Sequence, residues 1–194
     1  MALPLILLAA GAAAALEYRS HRKTQLRQRY QSQVSGDMAL SPSEWLPGHF
    51  QVTPALGSIV VCYVYGVVEH SGLWLGDDCI AELHGSGLVR GISAKRFLTG
   101  RSGGTIFVGC DRYHSPLARP EAVERAAQQL FSYRDYHLRD NNCHQFVWQC
   151  LTGEQRRIAS FKEFNRLLAG HFDSPLYWDP LNVAVCGSLE QRSR

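Results

Sequence analysis

Hydrophobic and polar positions along the chain predict a set of strands followed by helices. The predicted strands are rich in β-branched and aromatic side chains and cover residues 59–65, 69–75, 79–84 and 103–110. A Gly-Asp-Asp turn at 76–78 joins the second and third strands into a hairpin over 69–84. Between the third and fourth strands, the glycine-rich residues 85–91 predict a loop and residues 93–100 predict one or two helical turns.

Three helices are predicted after these strands. The first begins after Pro120, the second covers about 142–151 and ends at Gly153, and the third begins with a capping box at Ser160. Strands followed by helices predict an α+β fold. The apolar, proline-interrupted segment 174–187 is expected either to cover the sheet or to contact lipid.

An apolar stretch at residues 2–16 precedes this pattern. It is shorter than the roughly 20 residues that usually span a bilayer, but Glu17 and Tyr18 can lie in the interface. Basic residues follow the stretch, which favours an uncleaved anchor with the folded domain in the cytoplasm. The expected organisation is a hydrophobic anchor at 1–18, a basic juxtamembrane segment and linker at 19–44, and a domain at 45–194. The alternative is a signal peptide cleaved near Ala15, which would export the domain.

The net charge of +3 is concentrated before the domain. Residues 17–29 contribute +4, whereas the 15 basic and 16 acidic residues of positions 30–194 contribute −1. This balance argues against a nucleic-acid-binding surface. The sequence has no phosphate-binding loop and no metal-ligand cluster, so we expect no cofactor, and nothing in it sets an oligomeric state.

The stretch "RDNNCHQFVWQC", residues 139–150, places a cysteine at a helix start. Asn141 or Asn142 is suited to cap the helix, and Cys143 then lies in the first turn. Helical spacing places five residues on one face of the helix, which we expect to pack on the sheet: Cys143, Phe146, Val147, Cys150 and Leu151. The partial positive charge and unpaired amides there favour a thiolate and could hold an oxyanion. The alternative is that Cys143 is a buried core cysteine.

The predicted hairpin supplies partners for this thiol. Strand alternation allows His70 on one strand to face the same side as Glu82 and His84 on the next. A cysteine, a histidine and a further polar group follow the logic of a catalytic triad. His144 is adjacent to Cys143, about 100° round the helix, so we expect its side chain to point away from the thiol.

Two segments resemble the lecithin retinol acyltransferase-like family: "GSIVVCYVYGVVEHSGLWLGDDCIAELHG" and "YHLRDNNCHQFVWQCLTG". The similarity lies in a strand histidine before an apolar-Leu-Gly-Asp turn, a polar residue on the next strand, and an Asn-Cys-x-x-Phe-Val helix start. It covers about residues 55–153. The family belongs to the NlpC-type superfamily, so the resemblance implies a permuted papain-like fold with an antiparallel sheet packed against the helix that carries the cysteine.

The resemblance implies that Cys143 is the nucleophile and that His70 is the general base and acid. Family members carry a histidine twelve residues after the first one, where this chain has Glu82, so Glu82 and His84 both stand as candidates for the third position. The chain also has His144-Gln145 where Glu-His is common.

The implied activity is acyl transfer or hydrolysis through a cysteine thioester on lipid acyl esters, as a phospholipase or acyltransferase at a membrane. One alternative is a cysteine peptidase or amidase acting on peptide or cell-wall amides. A third is an interaction module without catalytic activity.

Overall fold

In the part of the chain that the structure describes, six antiparallel strands form one sheet, in which the strands lie in the order fourth, third, second, first, fifth and sixth along the chain. The computed structural model describes residues 50–64 and 68–182. The strands are β1 (Ile59–Val64), β2 (Val68–Gly76), β3 (Cys79–Leu83), β4 (Val89–Ser93), β5 (Phe107–Cys110) and β6 (Tyr177–Pro180). The prediction of an α+β fold with an antiparallel sheet is therefore confirmed.

Four helices accompany the sheet in the described part of the chain. They are α1 (Ala94–Leu98), α2 (Glu121–Ala127), α3 (Cys143–Thr152) and α4 (Phe161–Phe172). Helix α3 packs on β2 and β3, as its apolar stripe predicts. It ends at Gly153, whose φ of 80° is the left-handed conformation that favours glycine.

The two faces of the sheet bury separate hydrophobic clusters. Leu73 and Ala81 pack with Phe146 and Val147 of α3 on one face. The opposite face holds a second cluster that includes Cys62, Trp74, Ile80 and Phe97. His70 lies directly across from Cys62 in the β1–β2 ladder, so its side chain starts from the face of Phe97 rather than that of α3.

The β2–β3 hairpin is paired over a stretch that stops short of His70. Its turn is formed by Asp77 and Asp78, both with positive φ (46° and 57°), as a tight hairpin turn requires. The pairing of β2 with β3 runs from Gly76 back to Leu73. His70 lies beyond this pairing, where α3 begins.

Two parts of the sheet differ from the sequence-based expectation. The predicted loop 85–91 is wrong in its second half, because β4 begins at Val89 and pairs along β3. The segment begins and ends with glycine, which is typical of loops, so the short strand was not predicted. The segment 174–187 contributes edge strand β6, and Pro180 is tolerated because it ends an edge strand.

The predicted anchor at 1–18 and the basic segment at 19–44 lie outside the described residues. Within 50–64 and 68–182, no helix combines the length and the apolar character needed to cross a membrane.

Candidate active site

Cys143 is the first residue of α3, and Asn142 is the residue that caps this helix. The Asn142 Oδ1 atom accepts hydrogen bonds from the amides of His144 (3.0 Å) and Gln145 (3.1 Å). The Cys143 thiol is therefore held at the positive end of the helix, as predicted, and only 3 % of the residue is exposed.

The Asn142 side chain also ties the helix start to both flanking segments. Its Nδ2 group donates to the carbonyl oxygens of Leu138 (2.7 Å) and Ile158 (2.8 Å). One buried amide thus satisfies four backbone groups and fixes where the thiol lies.

Replacing Asn142 with alanine is expected to lower the free energy of unfolding by about 2 kcal/mol, the upper end for a helix cap. The Leu138 carbonyl also loses its donor, and the Ile158 carbonyl keeps only the long bond from the Gln145 side chain, at 3.5 Å. Urea unfolding followed by tryptophan fluorescence measures the change in free energy. Ser160→Ala, which removes the cap of α4 without the two further bonds, is the matched control and should cost less. Equal losses in the two variants would contradict the role given to the Asn142 Nδ2 group.

Of the two candidates for the third position, Glu82 is the one that contacts His70. The Glu82 Oε2 atom lies 2.6 Å from the His70 Nε2 atom, and the carboxylate is fully buried. His84 instead directs its Nδ1 atom to the hydroxyl of Ser86, 2.8 Å away in the exposed loop after β3.

Two arginines that the sequence did not single out surround this carboxylate. Arg90 donates to Oε1 (2.8 Å) and Arg101 donates to Oε2 (2.6 Å). Burial alone would raise the pKa of Glu82, but the hydrogen bond and charge of His70 and the charge of Arg101 lower it to about 2. Glu82 is thus ionised behind His70. Arg90 faces Glu82 across the β3–β4 ladder, a pairing hidden by the loop prediction.

Cys143 and His70 interact directly, and each promotes the charged form of the other. Burial opposes ionisation of Cys143, but the charges and hydrogen bonds of His144 and His70 hold the pKa of the thiol well below its ordinary value. Burial also opposes protonation of His70, but the Cys143 thiolate and the bond to Glu82 raise the pKa of the imidazole. Because Glu82 occupies Nε2, the ring nitrogen left for the thiol is Nδ1. The favoured state is a thiolate–imidazolium pair.

The prediction that His144 points away from the thiol is wrong. Its Nδ1 atom lies 3.8 Å from the Cys143 Sγ atom and 2.9 Å from the Ser71 hydroxyl oxygen. The ring is buried and stacks on Phe164 of α4, with centroids 5.0 Å apart. In the first turn no preceding turn obstructs the side chain, so it can fold back over the helix end while these contacts hold it.

Tyr136 also reaches the thiol from the segment that leads into α3. Its hydroxyl group lies 4.0 Å from the Cys143 Sγ atom and can donate to it. Burial, followed by the charge of Cys143, raises the pKa of Tyr136, so the phenol keeps its proton. Its position seven residues before the cysteine carries no periodic signal, because the intervening chain is irregular.

The assembled groups are a thiol, two imidazoles, a carboxylate and a phenol in a buried site, and these are group types that nucleophilic catalysis uses. In the part of the chain that the structure describes, no cluster of three or more His, Cys, Asp or Glu side chains is placed to hold a metal ion. Comparison of the sequence with protein-family models gave no match, and a search of curated proteins gave none either.

Proposed function

We propose that this protein catalyses acyl transfer or acyl-ester hydrolysis through a thioester on Cys143. The observation that carries the proposal is the alignment of Cys143, His70 and Glu82: a thiol at a helix start, an imidazole beside it, and an ionised carboxylate 2.6 Å behind that imidazole. This is the arrangement of a thiol-dependent triad. The proposal includes a permuted papain-like domain of the lecithin retinol acyltransferase-like type.

The first half of the reaction uses the proton shared by Cys143 and His70. This proton lies on His70 in the thiolate–imidazolium pair, and the Cys143 thiolate attacks the carbonyl carbon of the acyl donor. When the tetrahedral intermediate collapses, the bond to the leaving oxygen breaks and the imidazolium gives its proton to that oxygen. Glu82 keeps the ring oriented and stabilises its positive charge.

The negative oxygen of the intermediate forms beside the start of α3. The capping oxygen of Asn142 binds the amides of His144 and Gln145, so the Cys143 amide is the helix-start donor that we assign to the oxyanion. The Tyr136 hydroxyl, which already lies beside the sulfur, is the second donor in this proposal.

The second half resolves the thioester. His70, now neutral, takes a proton from water or from an acceptor hydroxyl or amine, whose heteroatom attacks the thioester carbonyl. The carbon–sulfur bond breaks, and the thiolate of Cys143 returns to its pair with His70. Water gives hydrolysis and a second acceptor gives acyl transfer.

Lipid acyl esters are the substrates we propose. The sequence resemblance supports them, and so does the apolar leader with its basic flank, since cationic residues beside a membrane are attracted to anionic lipid. On this proposal residues 1–18 hold the protein on the membrane with the catalytic domain in the cytoplasm.

A two-substrate assay tests the proposal. Full-length protein is incubated with phospholipid vesicles and, separately, with peptidoglycan fragments, and products are identified by mass spectrometry. We expect a lysophospholipid with either free fatty acid or an acylated acceptor. Cleavage of amides alone would replace the proposal with a peptidase. No product from either substrate, with a Cys143 that acyl-type reagents do not label, would leave an interaction module.

A further inference from the structure

We propose that His144, held by Ser71 and Phe164, is a second imidazole that donates a hydrogen bond to the Cys143 thiolate. The inference deepens the proposed function, on which its role in turnover rests. It gives the sulfur two imidazole partners: His70, which exchanges protons with the reactants, and His144, which is a positioning residue that does not.

The geometry around the His144 ring supports this role. Its Nδ1 atom faces both the Ser71 Oγ atom (2.9 Å) and the Cys143 Sγ atom (3.8 Å). With the Ser71 hydroxyl oxygen accepting from Nδ1–H, this one hydrogen is shared, and the hydrogen bond to the sulfur is the longer arm of a three-centre bond. Phe164 stacks on the ring at an interplanar angle of 18°, and Phe161 lies 5.4 Å from it, so the ring plane is set by α4.

Strand β2 brings both imidazoles to the thiol. Successive residues on a strand point to opposite faces, so His70 and Ser71 leave β2 in opposite directions. His70 contacts the thiol itself, and Ser71 contacts His144 on the side where α3 packs. The sulfur is thus enclosed by two rings that one strand positions, one directly and one through a hydroxyl.

The other groups that face this sulfur do not replace the proposed donor. Tyr136 is the further titratable group that contacts it, and the phenol is neutral. The ring neighbours from α4 are uncharged. The charged or titratable groups on the far side of His70 are Glu82, Arg90, Arg101 and Cys62; burial raises the pKa of Cys62 to about 12, so this thiol is neutral.

We expect the hydrogen bond from His144 to speed the step in which the thioester breaks. By then His70 has taken a proton from water or from the acceptor, so it is again an imidazolium beside the departing sulfur. Cys143 must leave as a thiolate, and a less basic thiolate leaves faster. The His144 Nδ1–H, 3.8 Å from that sulfur, adds a second hydrogen bond to it as the carbon–sulfur bond breaks.

Alkylation of Cys143 by iodoacetamide as a function of pH tests the inference without any substrate. Full-length protein is labelled between about pH 5 and 9, a range that spans the ordinary pKa values of histidine and cysteine, and modification of the Cys143 peptide is followed by mass spectrometry. In His144→Asn we expect the rate at about pH 6 to fall by about tenfold, because loss of a donor or positive charge this close shifts the ionisation of a thiol by about a factor of ten or more. The rate at the high-pH plateau should be retained. Ser71→Ala should show a smaller loss at the same acidic pH.

A second histidine–serine pair provides the matched control. His84→Asn removes an imidazole with the same Nδ1–hydroxyl contact but in the loop beyond β3, and it should leave the pH dependence of alkylation unchanged. A folded His144→Asn variant that is alkylated at acidic pH like the wild type would overturn the inference. If that variant does not fold, as judged by circular dichroism, Ser71→Ala decides: an unchanged profile there overturns it equally.

The two proposals fail in different ways. A profile that responds to His144, in a protein that releases no acyl product, would refute acyl transfer and keep the thiolate donor. A thioester detected on Cys143, together with the same alkylation profile in His144→Asn and in the wild type, would support acyl transfer and refute the thiolate donor.

Discussion

Cys143→Ala is expected to lower turnover of an acyl ester by on the order of 10⁴-fold or more and to abolish covalent acyl-enzyme formation. The variant removes the atom that forms the thioester, so neither half of the reaction can proceed. Measurement combines product release with intact-protein mass spectrometry after quenching, which detects the mass of the bound acyl group. The fold should survive, because a single buried sulfur is lost and the Asn142 cap remains.

Other cysteines give the controls for this result. Cys150 lies on the same helix, and burial raises the pKa of its thiol to about 12. Burial also raises the pKa of the half-buried Cys79. Protonated thiols are poor nucleophiles, so Cys150→Ala and Cys79→Ala should keep acyl-enzyme formation. An acyl adduct that persists in Cys143→Ala and maps to either of these residues would contradict the assignment of the nucleophile.

Glu82→Gln is expected to lower the free energy of unfolding by about 3–5 kcal/mol, the usual cost of breaking a buried ion pair. The substitution leaves Arg90 and Arg101 facing a neutral amide in a buried site, and it removes the partner that orients His70. Urea unfolding at neutral pH, followed by tryptophan fluorescence, gives the free energy. Any variant that folds should also lose acyl-ester turnover.

The pH dependence of stability tests the same carboxylate. The pKa of Glu82 falls from an ordinary value of 4.5 to about 2 in the folded protein. The unfolded chain therefore binds the proton first, so this contribution is fully present above pH 4.5 and is lost as the pH falls towards 2. In Glu82→Gln this part of the acid dependence should be absent. A wild-type free energy of unfolding that stays flat over this window would contradict an ionised, paired Glu82.

An exposed ion pair provides the matched control for Glu82→Gln. Arg157 and Asp140 lie 2.8 Å apart with about two-thirds of each side chain exposed. Solvent screens such pairs, so Asp140→Asn should change the free energy of unfolding by less than about 1 kcal/mol. Similar losses in Asp140→Asn and Glu82→Gln would mean that burial of the Glu82 network contributes little.

Local sequence signals predicted the start and end of α3. Asn142 caps α3, Gly153 ends it, and the thiol lies in its first turn, because capping and helical spacing depend on neighbours along the chain. The hairpin that carries His70 could also be predicted from the sequence, because strand alternation and a turn signal define it.

Contacts between distant segments account for what was missed. Strand alternation places Glu82 and His84 on the same face, so the sequence alone could not decide which of them contacts His70. In the structure β3 ends at Leu83, and of these two residues Glu82 is the one that lies within the sheet. The position of His144 depends on Ser71 and Phe164, which lie on other elements. Such contacts arise from tertiary packing, and the sequence carries no periodic pattern that would predict them.

The length of the β2–β3 hairpin has a consequence for how this sequence can change during evolution. Asp77 and Asp78 form its two-residue turn, and this turn, together with an irregularity in the pairing over residues 74–76, sets which residues of β2 lie opposite β3. Because β2 is held by its pairing with β1, a one-residue insertion there would slip β3 along β2, turn Glu82 to the opposite face of the sheet and remove the carboxylate from His70. We therefore expect insertions and deletions to be excluded from this turn in functional descendants of the chain.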